Sequence, residues 1–322
     1  MSDRWSRYAP SPTGPLHLGN LQSALASWLQ ARAAGAGFIL RIEDLDAARC
    51  RPQYIDSIVA DLAGLGLDWQ IGPGAGSPAE YLQSARLDLY RDTLDRLARD
   101  GRLFPCRCSR RELAELASAP HGPMGPVYPG TCRRRRLADG EGIDAVAESA
   151  EALRFRITKG KESFVDRVAG ELTCDVEREV GDFVVFRRDG VVAYHLAVVV
   201  DDIAMGVTDV VRGADLLPAV FPQAALYRAL GVAAPAYWHV PLRRDRAGAR
   251  LSKRVGGPSL ATVLDAGWSI ERVIGSLAAG LGLLDHEEPV TLEELAARFD
   301  ESKLARRMAA ALRRDAAAGY DA

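Results

Sequence analysis

The sequence predicts an α/β protein built on a parallel sheet, and three observations carry that expectation. Over roughly the first seventy residues, apolar runs of strand length alternate with apolar residues at helical spacing. A loop rich in proline and glycine separates the first strand from the first helix, and the alternation returns after an interrupted middle section. In such sheets ligands sit beyond the carboxyl ends of the strands.

Taken in order, Trp5 to Ala9 is a strand, and Pro10-Ser-Pro-Thr-Gly-Pro15 is a loop whose three prolines and glycine exclude regular structure. A helix starts at about Asn20, a good N-cap, and carries Leu21, Leu25, Trp28 and Leu29 on one face until Gly35 and Gly37 end it. Phe38 to Ile42 is a buried strand closing on Glu43 and Asp44, and Pro52 opens a second helix with Ile55, Ile58, Val59 and Leu62. Between about Gly101 and Arg178 cysteines, prolines and an arginine run break the pattern, with short apolar runs at Leu153–Ile157 and Phe164–Val168; this stretch is predicted to be an insertion. The alternation resumes with a strand at Phe183–Phe186, a turn at Asp189-Gly190 and a strand at Val191–Leu196. Ala197–Val200 fits either a strand or a buried helix, Thr208–Arg212 is a strand, and Gly213-Ala-Asp215 opens a helix. From about Arg250 the chain is rich in alanine and leucine and is predicted to be helical.

Composition bounds the class. At roughly 100–200 residues per domain, a chain of 322 residues makes about two domains. With 48% hydrophobic and 26% charged residues it is neither disordered nor fibrous, and a formal charge of −2 excludes a globally basic nucleic-acid binder. No window approaches the ~18 apolar residues of a membrane helix, and the N-terminus lacks the apolar core of a signal peptide, so a cytoplasmic protein without membrane contact is expected. In that compartment five cysteines suggest metal ligation or free thiols rather than disulfides. One local patch stands out: from Arg91 to Arg136 there are eleven arginines, no lysine and five acids, which fits a solvated arginine-rich surface or one that faces phosphates.

Two segments carry the chemistry. In the first, His17-Leu-Gly19-Asn20 follows the proline-rich loop at a helix start, where free N–H groups and the helix dipole favour an anion. Gly19 allows close approach to the backbone, and His17 can donate to a phosphate oxygen. The second is Arg250-Leu-Ser252-Lys253-Arg254, by itself only a basic surface loop, although Lys253 is one of four lysines in a chain with 37 arginines. Together with Arg7 to Gly14, Arg41-Ile-Glu-Asp44, Val198-Val-Val-Asp-Asp202 and Val211-Arg-Gly-Ala-Asp215, these segments, in this order, resemble the catalytic domain of class I glutamyl-tRNA synthetases. Sixty-eight residues follow Arg254, too few for the helical anticodon-binding region of the discriminating enzymes. The chain therefore resembles the truncated family, the glutamyl-queuosine tRNA(Asp) synthetases. Asn20, Arg250 and Ala47 stand where many relatives have His, Lys and Pro, and none of these changes removes a proton-transfer group.

The resemblance implies a Rossmann-type doubly wound sheet over residues 1–100 and 179–245. It also implies a zinc-containing, tRNA-facing insertion over 101–178, then a mobile Leu-Ser-Lys loop and a short helical region over 246–322. It implies ATP-dependent activation of L-glutamate, with Mg²⁺ on the phosphates, by a monomer that transfers glutamate to queuosine in tRNA(Asp). The alternatives are a truncated enzyme charging a 3′ end and a non-catalytic tRNA-binding module. His17 and Lys253 are the implied catalytic residues, and His17, Gly19, Asn20, Arg250, Ser252 and Lys253 the implied ATP site. For glutamate, Arg7 and Arg212 supply positive charge, Glu43 meets the ammonium, Tyr194 adds a hydroxyl, and Tyr8, Ala9, Pro10 and Ser11 line the pocket. One structural Zn²⁺ is implied on Cys106, Cys108, Tyr128 and Cys132. Without the family, His121 is the natural fourth ligand, since structural zinc prefers Cys and His. Cys50, Cys174, His195 and His239 are read as structural.

Overall fold

The computed structural model describes residues 3–109, 111–113, 127–137, 146, 148–158, 160–243 and 257–317. The Leu-Ser-Lys segment with Arg250, Ser252 and Lys253 lies outside the described residues, as does His121. The centre is a four-stranded, wholly parallel sheet of β1 (Trp5–Tyr8), β2 (Gly37–Leu40), β8 (Asp209–Gly213) and β9 (Ala236–Val240), in the order β2-β1-β8-β9. Period-two alternation sends neighbouring residues to opposite faces. Leu40, Val211 and Trp238 enter one core, while Ile39, Val210 and Tyr237 enter another. The first face is covered by α1 (Leu18–Ala33) and α2 (Pro52–Gly64). Helices of the C-terminal segment, α6 (Leu260–Asp265), α7 (Ile270–Gly280), α8 (Leu292–Ala297) and α9 (Glu301–Ala317), join the same core through Leu260, Leu277, Leu295, Leu304 and Met308. Among the described residues no helix is long and apolar enough to cross a membrane.

The start of α1 departs from the expectation. His17, not Asn20, is the N-cap: its Nδ1 accepts the Asn20 backbone N–H at 3.2 Å, and Asn20 Oδ1 accepts the His17 N–H at 3.2 Å. Asn20 sits at the third helical position and closes a capping box, so an imidazole and an amide take the places usually held by Ser or Thr and Glu or Gln. The helix ends as expected: Gly35, at φ 60°, occupies the left-handed position that an L side chain enters at a cost.

The middle section forms its own sheets. β3 (Leu103–Cys106), β4 (Ala152–Phe155) and β7 (Phe183–Phe186) make an antiparallel sheet, and β5 (Lys161–Asp166) pairs with β6 (Gly170–Asp175) as a hairpin. Two expectations are corrected here. Phe183–Phe186 pairs with β4 instead of returning to the parallel sheet. The predicted strand Val191–Leu196 does not form: Val192 makes one isolated bridge to Phe186, and the chain enters α4 (Tyr194–Ala204). The ambiguous Ala197–Val200 is thus helix. Its β-branched residues are tolerated because they pack against α3 (Leu87–Arg99) and α5 (Val220–Ala229), and burial outweighs intrinsic propensity. After β8 the chain first makes a 3-10 stretch, Ala214–Ala219, before α5 begins.

Candidate active site

The sheet order fixes where a ligand belongs. From β1 the chain moves outward to β2, and from β8 it moves the other way to β9, so the strand order reverses between β1 and β8. Beyond the carboxyl ends of such a pair lies the crevice of a doubly wound sheet. A cleft of about 450 Å³ opens there. It brings together Arg7, Tyr8, Ala9, Pro10 and Ser11 from β1 and the loop after it, His17, Gly19 and Asn20 from the start of α1, and Glu43, Tyr194 and Arg212. These are the sequence-predicted glutamate and ATP residues that fall among the described ones. Asp215, the end of the Val211-Arg-Gly-Ala-Asp215 segment, lines the same cleft, as do Leu216, Leu242 and Arg243, to which the sequence pattern does not point.

Capping sets the chemistry of His17. Because Nδ1 accepts a backbone N–H, the proton of the neutral ring resides on Nε2, leaving that nitrogen as the donor. A Cβ at Gly19 would lie 3.0 Å from the imidazole, so glycine is what leaves the ring its place.

Beneath the cleft lies a buried charge network. Asp202 Oδ1 takes Arg41 Nη1 at 2.6 Å and Arg7 Nε at 3.5 Å, while Arg41 Nη2 reaches Glu43 at 3.3 Å. Asp201 pairs with Arg86 at 2.9 Å and accepts from Gln83 and the Tyr90 hydroxyl. Burial pushes the Asp202 carboxyl up, but Arg41 and Arg7 outweigh it and hold it below the ordinary carboxylate range. For Glu43 burial wins against Arg41 and Arg7, and its pKa is raised. An ammonium beside Glu43 would relieve that penalty.

Arg212 differs from its neighbours. It is 5% exposed, and its guanidinium donates to three neutral acceptors: His239 Nε2 at 2.8 Å, Gln223 Oε1 at 2.9 Å and the Leu216 carbonyl at 3.2 Å. Its Cζ lies 4.8 Å from the centre of the Tyr237 ring. Among the described residues no carboxylate comes within ion-pair distance of it. His239 and Gln223, both fully buried, are site residues that sequence reasoning misses. The available signal was position: His239 stands next to the end of β9, directly opposite Arg212 in the sheet. At His195, burial and then Arg212 draw the pKa down to about 4.

A second cluster lies in the middle section. The sulfurs of Cys106, Cys108 and Cys132 lie within 4.8 Å of one another. The Tyr128 hydroxyl is 3.5 Å from Cys106 Sγ and 3.8 Å from Cys108 Sγ, and Cys108 and Cys132 are 3.7 Å apart. Thiolates bound to zinc at about 2.3 Å sit about 3.8 Å apart in a tetrahedron, so these spacings fit that ion. Tyr128 oxygen also accepts the Cys132 N–H at 2.7 Å, and Arg154 donates to Cys106 Sγ at 3.4 Å while its Cζ lies 3.9 Å from the Tyr128 ring centre. With a metal bound, that guanidinium would offset the negative charge of the ligand set. At Cys132 burial pushes the thiol up, but the Arg107 amide and the Tyr128 hydroxyl overcome it and bring the pKa to about 7.

A parallel sheet with its cleft at the reversal point, a histidine-capped helix at the cleft wall and a buried arginine without a counterion among the described residues are consistent with a class I aminoacyl-tRNA synthetase catalytic domain. Comparison with known proteins makes this specific. The chain belongs to the family described as tRNA synthetases class I (E and Q), catalytic domain, whose model matches residues 5–315. It is 50% identical over 308 residues to a protein of Symbiobacterium thermophilum named glutamyl-Q tRNA(Asp) synthetase, covering 93% of each chain. It is 47% identical over 280 residues to a protein of the same name from Nitratidesulfovibrio vulgaris, covering 86% of each. Its fold superposes on the crystal structure of glutamate-tRNA synthetase from Elizabethkingia anophelis with a TM-score of 0.77 and 28% identity. That match covers 93% of this chain and 66% of the longer one.

Proposed function

We propose that this ligase activates L-glutamate with ATP and Mg²⁺ and transfers it to queuosine at the wobble position of tRNA(Asp). The observation that carries the amino-acid assignment is the buried positive charge of Arg212, which three neutral acceptors orient and no carboxylate among the described residues neutralises. An anionic side chain supplies what is missing, whereas glutamine would leave the charge unpaired. Glu43 faces the substrate ammonium, with Arg7 and Tyr194 beside it. The tRNA assignment is supported by relatives that share the name glutamyl-Q tRNA(Asp) synthetase over most of their length.

In activation, the ionised α-carboxylate attacks the α-phosphorus of ATP, the bond to the bridging β-phosphate oxygen breaks, and pyrophosphate leaves. No base is needed, so catalysis is positioning and charge stabilisation. His17 Nε2–H, the helix start at Gly19 and Asn20, and Arg243 line the phosphate side, and the sequence resemblance assigns Arg250, Ser252 and Lys253, outside the described residues, to the same phosphates. A queuosine hydroxyl then attacks the glutamyl carbonyl, and AMP leaves. Glutamate-dependent pyrophosphate exchange tests the first step. Recovery of labelled glutamate on the anticodon nucleotide of queuosine-containing tRNA(Asp) tests the second, and label on a 3′ terminal adenosine would overturn it.

We assign zinc to Cys106, Cys108, Tyr128 and Cys132, where it would tie β3 to the following loop as a structural ion. Protein purified without added metal is expected to carry zinc stoichiometric with the chain, and Cys132→Ser to lose it; equal zinc in both would exclude that ligand.

The insertion is proposed to face the anticodon stem-loop. Within its arginine run, Arg133 is committed to Asp182 and the Ile157 carbonyl, and Arg135 to Glu151. Arg134 and Arg136 are exposed. Replacing these two by alanine is expected to weaken tRNA binding. The slope of log affinity against log salt should fall by about one for each phosphate that an arginine no longer neutralises. An unchanged slope would remove them from the interface.

A further inference from the structure

The β5–β6 hairpin of the middle section reaches the residues that hold Arg212. At the end of β5, Asp166 Oδ2 lies 2.6 Å from His239 Nδ1, and His239 Nε2 accepts from Arg212 Nε at 2.8 Å. All three residues are at most 5% exposed. An arginine N–H only donates, so Nε2 must hold its lone pair toward Arg212, and the imidazole proton must lie on Nδ1, facing Asp166. Asp166 is itself pinned: its Oδ1 accepts backbone N–H groups from Val168 and Ala169, both at 2.8 Å, and from His239 at 3.2 Å. The Arg167 N–H also bonds the Tyr237 carbonyl, so the hairpin end is docked on β9.

We infer that Asp166 and His239 are positioning residues that set the orientation of Arg212, and that the inserted hairpin thereby takes part in selecting the amino acid. Asp166 holds the one imidazole tautomer that can accept from the guanidinium. The opposite tautomer would place an N–H against an N–H and turn the arginine out of register with its ligand. The inference rests on the proposal that Arg212 receives the substrate's side-chain carboxylate. Consistent with the arrangement, Asp166 lies below the ordinary carboxylate range, since His239 and the Ala169 and Val168 amides outweigh its burial, and burial lowers His239.

Asp166→Asn tests this. The asparagine carbonyl can still accept the backbone amides, but its NH₂ would donate to Nδ1 and drive the proton to Nε2. Long-range ¹H–¹⁵N NMR on histidine-labelled full-length protein is expected to show His239 as the Nδ1–H tautomer in the wild type and inverted in D166N. In pyrophosphate exchange, D166N is expected to raise the KM for glutamate by roughly ten- to a hundredfold, with the KM for ATP within about twofold. In the H239Q background an amide oxygen meets Arg212 without tautomer control, and adding D166N should then change the glutamate KM by less than about threefold. An unchanged tautomer in D166N, a parallel rise of both KM values, or an equal loss in the H239Q background would overturn the inference. If the wild type shows no glutamate-dependent exchange, the substrate proposal fails, and the NMR result still decides whether Asp166 controls the tautomer.

Discussion

Replacing Arg212 by leucine is expected to raise the KM for glutamate by about two to three orders of magnitude, because a buried charge pair loses one partner at the moment of binding. The KM for ATP should stay within a few-fold, since Arg212 is proposed to meet the glutamate side chain and not the phosphates. Lysine is not a substitute. Its point charge cannot serve His239, Gln223 and the Leu216 carbonyl in one plane while still presenting donors to a carboxylate. The R212L protein should also lose preference for glutamate over glutamine, because the penalty on glutamine comes from leaving this guanidinium unpaired. Stability should fall, because relief from a buried cation without a counterion among the described residues is set against three acceptors, His239 Nε2, Gln223 Oε1 and the Leu216 carbonyl, that lose their donor. Pyrophosphate exchange with each amino acid and with varied ATP, together with a melting curve, checks all four points. A glutamate KM close to that of the wild type would remove Arg212 from the pocket.

Much of this site is legible in the sequence because it is local. Arg7 to Ser11, and then His17, Gly19 and Asn20, run along one strand, one loop and one helix start, where proline and glycine mark the breaks. The cap lies three residues before the position the pattern suggests because histidine is a rare cap; its role depends on a ring nitrogen reaching back to Asn20, which no spacing rule encodes. What pattern reading misses is long-range. Arg41 and Asp202 meet across 161 positions and Asp166 and His239 across 73. The same coupling explains why Val191–Leu196 is not a strand. A turn followed by valines has the pattern of a hairpin, yet the chain forms α4, which carries Asp201 and Asp202 inward to the arginines. Charge pairing and burial there outweigh β-propensity.

Asp202 shows the opposite balance to Arg212, and its replacement should mainly cost stability. Its carboxylate is fully buried and shared by Arg41 and Arg7, with the Tyr227 hydroxyl at 3.4 Å. Asp202→Asn keeps the shape but leaves two guanidinium groups with less negative charge than they were folded around, a change expected to cost about 3–5 kcal/mol. The pH dependence follows from the direction of the shift. The folded-state pKa of Asp202 is depressed, so its contribution is fully present above the ordinary carboxylate pKa and is lost as pH falls through the folded value. Asp201 and Glu43, whose pKa values burial raises against their arginine neighbours, act in the other sense: their ionisation weighs against folding near neutrality and is relieved on acidification. Urea unfolding over a pH series should therefore show the D202N deficit at its largest near pH 7 and closing in strong acid, where wild-type Asp202 also becomes neutral. A deficit under about 1 kcal/mol at pH 7 would mean that this carboxylate behaves like a surface ion pair and does not hold Arg7 in the pocket wall.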